Sequence, residues 1–167
     1  CTPSRGLGDV YKRQALDPRE LPSVYLKKFD IKIDEYVKHH HSHMAGGYYT
    51  APFTDTMTLT IDAIGEMETM SIWDNEKMIG REQYPKSLGL LYSAITQRIG
   101  LKPNEEEYIT MGMAAYGKPM FTEYMREHLL KRNNHKGISE NILSWAKPYD
   151  LAASVQKVYE DELERIV

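Results

Sequence analysis

Between Thr56 and Asp62 the side chains alternate. Met57, Leu59 and Ile61 fall on one face, and Thr58, Thr60 and Asp62 on the other. A period of two predicts a half-buried strand. "AIGE", residues 63–66, reads as a turn in which Gly65 is free to take positive φ. Met67 to Trp73 predicts a second strand, "DNEK" a second turn, and Lys77 to Gln83 a third strand. The stretch therefore reads as a three-stranded antiparallel meander.

After Pro85 the period lengthens. Leu90, Leu91, Ala94, Ile95 and Ile99 recur at three- and four-residue spacing, with Ser87 as N-cap and Gly100 as stop. "KPNEEEY" is a polar connection. Glu106 to Tyr116 predicts a helix, in which Gly112 is costly. Phe121 to Arg132 predicts a charged amphipathic helix, and "NNHKGISEN" a loop. Asp150 is expected to cap a last helix, whose apolar face is Leu151, Val155, Val158, Tyr159, Leu163 and Ile166. Upstream, a short helix is expected after Pro18 and a strand-like approach over Ile31 to Val37. There are no internal repeats. The fold class is α/β, or α+β when the chain is taken by itself: three strands followed by helices.

The chain has 167 residues, 41% hydrophobic and 27% charged, enough for one domain with a core. No apolar run approaches the ~20 residues of a membrane span, and no signal peptide is visible, so no membrane partner is expected. A cytoplasmic location is the default. The opening CTPSRGLGDVYKRQ changes the picture. "DVYKRQ" is what GAT GTG TAT AAG AGA CAG encodes, and that DNA resembles a transposon end used in sequencing libraries. Residues 1–14 are therefore read as a translated adapter, and 15–167 as an internal fragment of a larger domain. Cys1 is the only cysteine, so the remainder offers neither disulfides nor thiolate ligands. Without Arg5, Lys12, Arg13 and Asp9 the net charge moves from −3 to −5. A mildly acidic chain with no basic stripe argues against nucleic acid as a partner.

"KHHHSHMAGGYYTAPF", residues 38–53, carries the chemistry. In a helix, His39 and His43 stand at i and i+4 on one face; in an extended chain His39, His41 and His43 share one. Both conformations allow two imidazoles to hold one metal ion. Surface or hydrogen-bonded histidines are the plainer reading. A third ligand is needed, and Asp62 at the end of its strand is a candidate; it reads equally as a turn-forming aspartate. Two histidines and a carboxylate suit iron(II), manganese or zinc.

Two further stretches stand out. "TIDAIGE" has the form of a strand, an acidic residue and a tight turn, as in phosphate-handling hairpins. "EEEYITMGMAAYGKP", residues 105–119, brackets small residues with Gly112 and Gly117 and ends in Tyr116, Lys118 and Pro119. It reads either as a close-approach ligand segment, with Lys118 holding a phosphate or carboxylate, or as a tightly packed helix and its C-cap.

Taken in order, "HHHSHMAGGYYTAPF", "LTIDAIGE", "PKSLGLLYSAITQRIGLKPNEEEYITMGMAAYGKP" and "DLAASVQKVYEDELERIV" resemble the nodulation-type O-carbamoyltransferases. The resemblance covers most of residues 36–167. It implies a partial actin-like ATPase fold, similar to the tRNA threonylcarbamoyl-transfer enzyme. It implies a divalent metal, iron(II) for choice, on His39, His43 and Asp62, with His40 as a base or as a partner of a ligand. It implies nucleotide or substrate contacts through Gly65, Glu107, Gly112, Tyr116, Gly117 and Lys118. The implied reaction takes carbamoyl phosphate and ATP to a carbamoyl-adenylate, and then passes the carbamoyl group to a hydroxyl of a small-molecule acceptor.

The sequence departs from that family at Ile109, where many members have lysine, and at Ala63, where glycine is common. Gly46 and Gly47 are less helix-friendly than the usual small residues. The chain is also several times shorter, so the missing remainder of its own chain is an expected partner, and the fragment alone is expected to be inactive. Two other functions stay open beside this one: a metal-dependent hydrolase using the same ligands, and a non-catalytic module.

Overall fold

A computed structural model describes residues 37–132 and 134–167. The adapter stretch, the expected helix after Pro18, and the strand-like approach up to residue 36 lie outside the described residues. The described chain opens with helix α1 (His39–Thr50) and continues into β1 (Met57–Gly65), β2 (Glu68–Asp74) and β3 (Lys77–Gln83). Helices α2 (Leu88–Arg98), α3 (Glu107–Ala114) and α4 (Thr122–His128) follow, then a 3-10 turn at Asn134–Lys136 and the long α5 (Pro148–Ile166).

The three strands form one antiparallel sheet in the order β1-β2-β3, as the alternation predicts. Both connections are two-residue turns: Gly65 pairs with Glu68, and Asp74 with Lys77. The first turn falls later than expected. Ala63 to Gly65 stay in β1, and the positive φ of 60° belongs to Glu66, not to Gly65. The β1–β2 register slips between Ile61 and Gly65, which bends the strand just after Asp62.

The buried side of β1 also differs from a simple reading of its apolar residues. Met57 is exposed, whereas Thr60 is buried. The reason is α1, which packs on β1 and β2. It covers the polar row. A Cβ built at Gly47 would lie 3.3 Å from the Thr58 methyl, Thr60 meets His40, and Asp62 meets His39. Gly46 and Gly47 together weaken the helix by about 2 kcal/mol relative to alanine. Gly47 repays this by letting α1 lie close to the strand, and Met44 beneath it is fully buried.

The main core lies elsewhere. Leu91 and Ile95 of α2, Phe121, Met125, Leu129 and Leu130 around α4, and Leu151, Val155 and Val158 of α5 form one buried cluster. A second pair, Ile64 and Leu90, joins the end of β1 to α2. Ser87 makes that junction: its hydroxyl donates to the Ala63 carbonyl at 2.6 Å and accepts from the Leu90 N–H at 3.0 Å, so it caps α2 as predicted. Gly89 lies against the backbone of Ala63, 2.7 Å from where a Cβ would sit. Gly100 has φ 88° and ends the helix as expected.

Three helical expectations change. The helix expected over Glu106–Tyr116 runs from Glu107 to Ala114. The helix expected over Phe121–Arg132 runs only from Thr122 to His128, because Phe121, Leu129 and Leu130 turn into the core at its ends. Asp150 does not cap α5. Lys147 holds the N-cap position with Pro148 behind it, and Asp150 accepts instead from the backbone N–H of Lys118 at 2.9 Å.

Candidate metal centre

The first turn of α1 and the end of β1's regular ladder bring three ligand atoms together. The helical reading of the histidine segment is the one observed, so His39 and His43 share a face. Asp62 Oδ2 lies 2.5 Å from His39 Nε2 and 3.6 Å from His43 Nε2, and the two Nε2 atoms are 3.0 Å apart. Among the described residues this is the one group of three that could hold a metal ion.

The geometry fits a cation better than it fits hydrogen bonds. His39 Nε2 has two neighbours, a carboxylate oxygen and a second ring nitrogen, but one lone pair or one proton to offer them. Three donor atoms bound at ~2.1 Å to one ion would lie roughly 3 to 3.5 Å from one another. The His39–His43 and His43–Asp62 separations, 3.0 and 3.6 Å, lie at the two ends of that range, and the His39–Asp62 contact is shorter. Asp62 is further held by the N–H of its neighbour Ala63, which donates to Oδ1 at 2.6 Å. That leaves Oδ2 for the imidazoles.

Gly65 is required here for space. A Cβ built on it would lie 2.3 Å from the His39 ring and 2.8 Å from the His40 ring. Its lack of a side chain thus makes a cradle for the two imidazoles.

His40 is not one of the three converging ligands. It is buried, and its Nδ1 lies 2.8 Å from Thr60 Oγ1 and 2.9 Å from Ser71 Oγ. Those two hydroxyls are 2.5 Å apart, and the Trp73 indole N–H donates to Ser71 Oγ at 2.8 Å. His40 Nε2 is buried with no hydrogen-bond partner among the described residues. Burial lowers the pKa of this imidazole below the usual histidine value. His41 points differently again and stacks on the Trp73 ring, centroids 5.6 Å apart and tilted by 18°. Thr60, Ser71 and Trp73 were not singled out in the sequence. The available signal was parity: Thr60 shares the Asp62 face, and Ser71 pairs with Thr60 across the ladder.

The remaining candidates lie in another part of the fold. Glu107 Oε1 accepts from the Ser93 hydroxyl and from the Asn104 N–H, both at 2.6 Å, which ties α2 to the start of α3. Gly112 is exposed, and a Cβ there would touch nothing. Gly117 packs against α5 so closely that a Cβ would lie 1.9 Å from the Tyr149 carbonyl oxygen. Tyr116 and Lys118 on either side of it are exposed.

A family model described as "Carbamoyltransferase N-terminus" matches residues 7–165. The chain belongs to that family. Carbamoyl transfer is the chemistry for which the family is named. Two relatives are similar over shorter spans. One is an uncharacterized protein of Synechocystis sp., 38% identical over 100 residues, covering 56% of this chain and 16% of the relative. The other is an uncharacterized protein of Methanocaldococcus jannaschii, 30% identical over 146 residues, covering 76% of this chain and 22% of the relative. The chain thus spans less than a quarter of either. Among the described residues no helix is long and apolar enough to cross a membrane.

Proposed function

We propose that this chain is the metal-binding part of a nodulation-type O-carbamoyltransferase with a partial actin-like ATPase fold, acting in the cytoplasm. The observation that carries the reading is the convergence of His39, His43 and Asp62 at mutual distances of 2.5 to 3.6 Å in a chain of this family. The donor set, two imidazoles and a carboxylate with room for further ligands, suits iron(II) among the divalent metals. Such an ion supplies Lewis-acid stabilisation of charge developing on a carbonyl or acceptor oxygen. The chain's own residues would do the rest. His39 and His43 present neutral nitrogens from one helical face, and Asp62 supplies the anionic oxygen. Gly65 keeps the strand close enough for the rings to reach it.

In this reading water releases phosphate from carbamoyl phosphate to leave carbamate, carbamate reacts with ATP to give a carbamoyl-adenylate and pyrophosphate, and the hydroxyl of a small-molecule acceptor takes the carbamoyl group as AMP leaves. The segment Gly112–Lys118 would meet the nucleotide or substrate with the remainder of the longer protein. Exposed Tyr116, Met120, Trp145 and Tyr149 line a groove there with Lys118 and Lys147, and apolar exposure of this extent fits a surface that another part of the protein covers.

The test is carbamoyl transfer by the full-length gene product, supplied with ATP, carbamoyl phosphate and a panel of hydroxylated acceptors. Transfer should require the metal and should be abolished by His39→Ala. The isolated chain should not turn over. Metal-dependent hydrolysis without transfer would replace this reading with a hydrolase. Wild-type metal content in His39→Ala and His43→Ala variants would reduce the chain to a non-catalytic module.

A further inference from the structure

The contacts around His40 have a direction. An indole N–H donates and cannot accept. Trp73 therefore fixes Ser71 Oγ as its acceptor at 2.8 Å. The Ser71 proton is then free to go to Thr60 Oγ1, 2.5 Å away. The Thr60 proton goes to His40 Nδ1, at 2.8 Å. Each hydroxyl accepts once and donates once. Ser71 Oγ also lies 2.9 Å from Nδ1, so both hydroxyls are within reach of that nitrogen. With a proton on Nδ1 instead, one of the two hydroxyls would be left with no acceptor better than the Ser71 carbonyl, 3.5 Å from Thr60 Oγ1. So Nδ1 is the acceptor, and the ring proton sits on Nε2, on the side of the ring that faces Gly65.

We propose that His40 is a positioning residue: the one-way chain Trp73–Ser71–Thr60 holds it in the Nε2–H tautomer, and this anchor sets the rotation of α1 that brings His39 and His43 onto Asp62. A base at this position would need an accessible lone pair. Nδ1 spends its own on Thr60, and Nε2 carries the proton and is shut off from solvent. The anchor is one residue from His39 and three from His43, within the same helical turn, so a change in its seat turns both ligands together. Thr60 and Asp62 lie on the same face of one strand, so the anchor and the third ligand share a frame.

The part of this proposal that concerns ligand geometry rests on the metal reading; the tautomer does not. Selective 15N labelling of histidine in the protein separates the two. His40 should show an unprotonated Nδ1 and a protonated Nε2. The reverse pattern, or exchange between both, overturns the relay. Thr60→Val keeps the volume and removes the hydroxyl, so a packing role would survive it. Its Zn2+ affinity should fall by up to about tenfold, the low end of the loss seen when a direct partner of a metal ligand is removed, because Thr60 acts on the ligands only through His40, while Thr60→Ser should stay near wild type. Unchanged Zn2+ binding by a folded Thr60→Val protein overturns the positioning role. If Thr60→Val does not fold, Trp73→Phe serves, since it keeps a ring against His41 and drops the donor. It should mix the His40 tautomers, and a His40 spectrum identical to wild type overturns the proposal. A wild-type protein that fails to bind Zn2+ overturns the metal reading, and with it the ligand half of the proposal.

Discussion

His39 Nε2 and Asp62 Oδ2 lie 2.5 Å apart, although 23 residues separate them in the chain. Removing either should remove the centre. For His39→Ala and Asp62→Asn, the affinity for Zn2+ or iron(II) is expected to fall by at least ~100-fold, since two ligands are left where a stable site needs three or four. His43→Ala should fall comparably, because it too leaves two ligands, and its Nε2 lies 3.0 Å from His39 Nε2 and 3.6 Å from the carboxylate. Calorimetric titration and metal analysis check this. The metal-free proteins should keep wild-type circular dichroism, because none of the three side chains is in the core.

Gly46 lies within α1 and Gly65 packs against its first residues, and the two should respond in opposite ways. Alanine at 65 would drive a methyl into the His39 and His40 rings. The rings must move, so Gly65→Ala should lose metal binding and about 1–3 kcal/mol of stability. Alanine at 46 meets nothing within 4 Å and sits in a helix. Gly46→Ala should be stabilising by about 0.5–1 kcal/mol, with metal affinity unchanged. Urea unfolding of the two variants beside the wild type decides it.

The strands, α2 and the existence of the later helices were legible because their periods are local properties of the side chains. What the sequence left open depended on what packs on what. The polar row Thr58, Thr60, Asp62 looks like a solvent face until α1 is laid over it. The helical or extended state of the histidines could not be chosen from spacing, because both conformations align at least two rings. Gly65 looked like a turn glycine, and only the nearby imidazoles show that it is there for room. Asp150 looked like a helix cap because it precedes an apolar face. Pro148 starts the helix earlier and leaves that carboxylate to Lys118.

That carboxylate makes a third prediction. Gly117 and Asp150 clamp the same loop, one by contact with the Tyr149 carbonyl and the other by accepting from the Lys118 N–H. Gly117→Ala must displace backbone, so it should cost more than about 2 kcal/mol. Asp150→Ala loses one charge-assisted hydrogen bond and should cost about 1–2 kcal/mol. Asp150→Asn keeps an acceptor and should cost less. Metal binding at His39, His43 and Asp62 should be untouched in all three, which thermal melts and a Zn2+ titration would report together.

Tyr92 gives the fold a sensitivity to alkali. Its hydroxyl donates to Gln156 Oε1 at 2.8 Å, joining α2 to α5. Burial, and then the nearby Glu107 and Glu160 carboxylates, push its pKa from 10.0 up to about 12. The folded state therefore resists losing this proton more than the unfolded state does. The stabilisation is complete below pH 10 and is lost as the pH rises through 12, in total on the order of 2 kcal/mol. The chain has 12 tyrosines, so the wild-type curve alone is not diagnostic. Tyr92→Phe removes the Gln156 hydrogen bond at every pH, which is a constant offset, and removes this one titration, which is a slope. The difference in unfolding free energy between wild type and Tyr92→Phe should be flat up to pH 10 and narrow steadily above it. A difference that stays constant to pH 12 would mean that Tyr92 ionises in the folded protein as easily as in the unfolded chain.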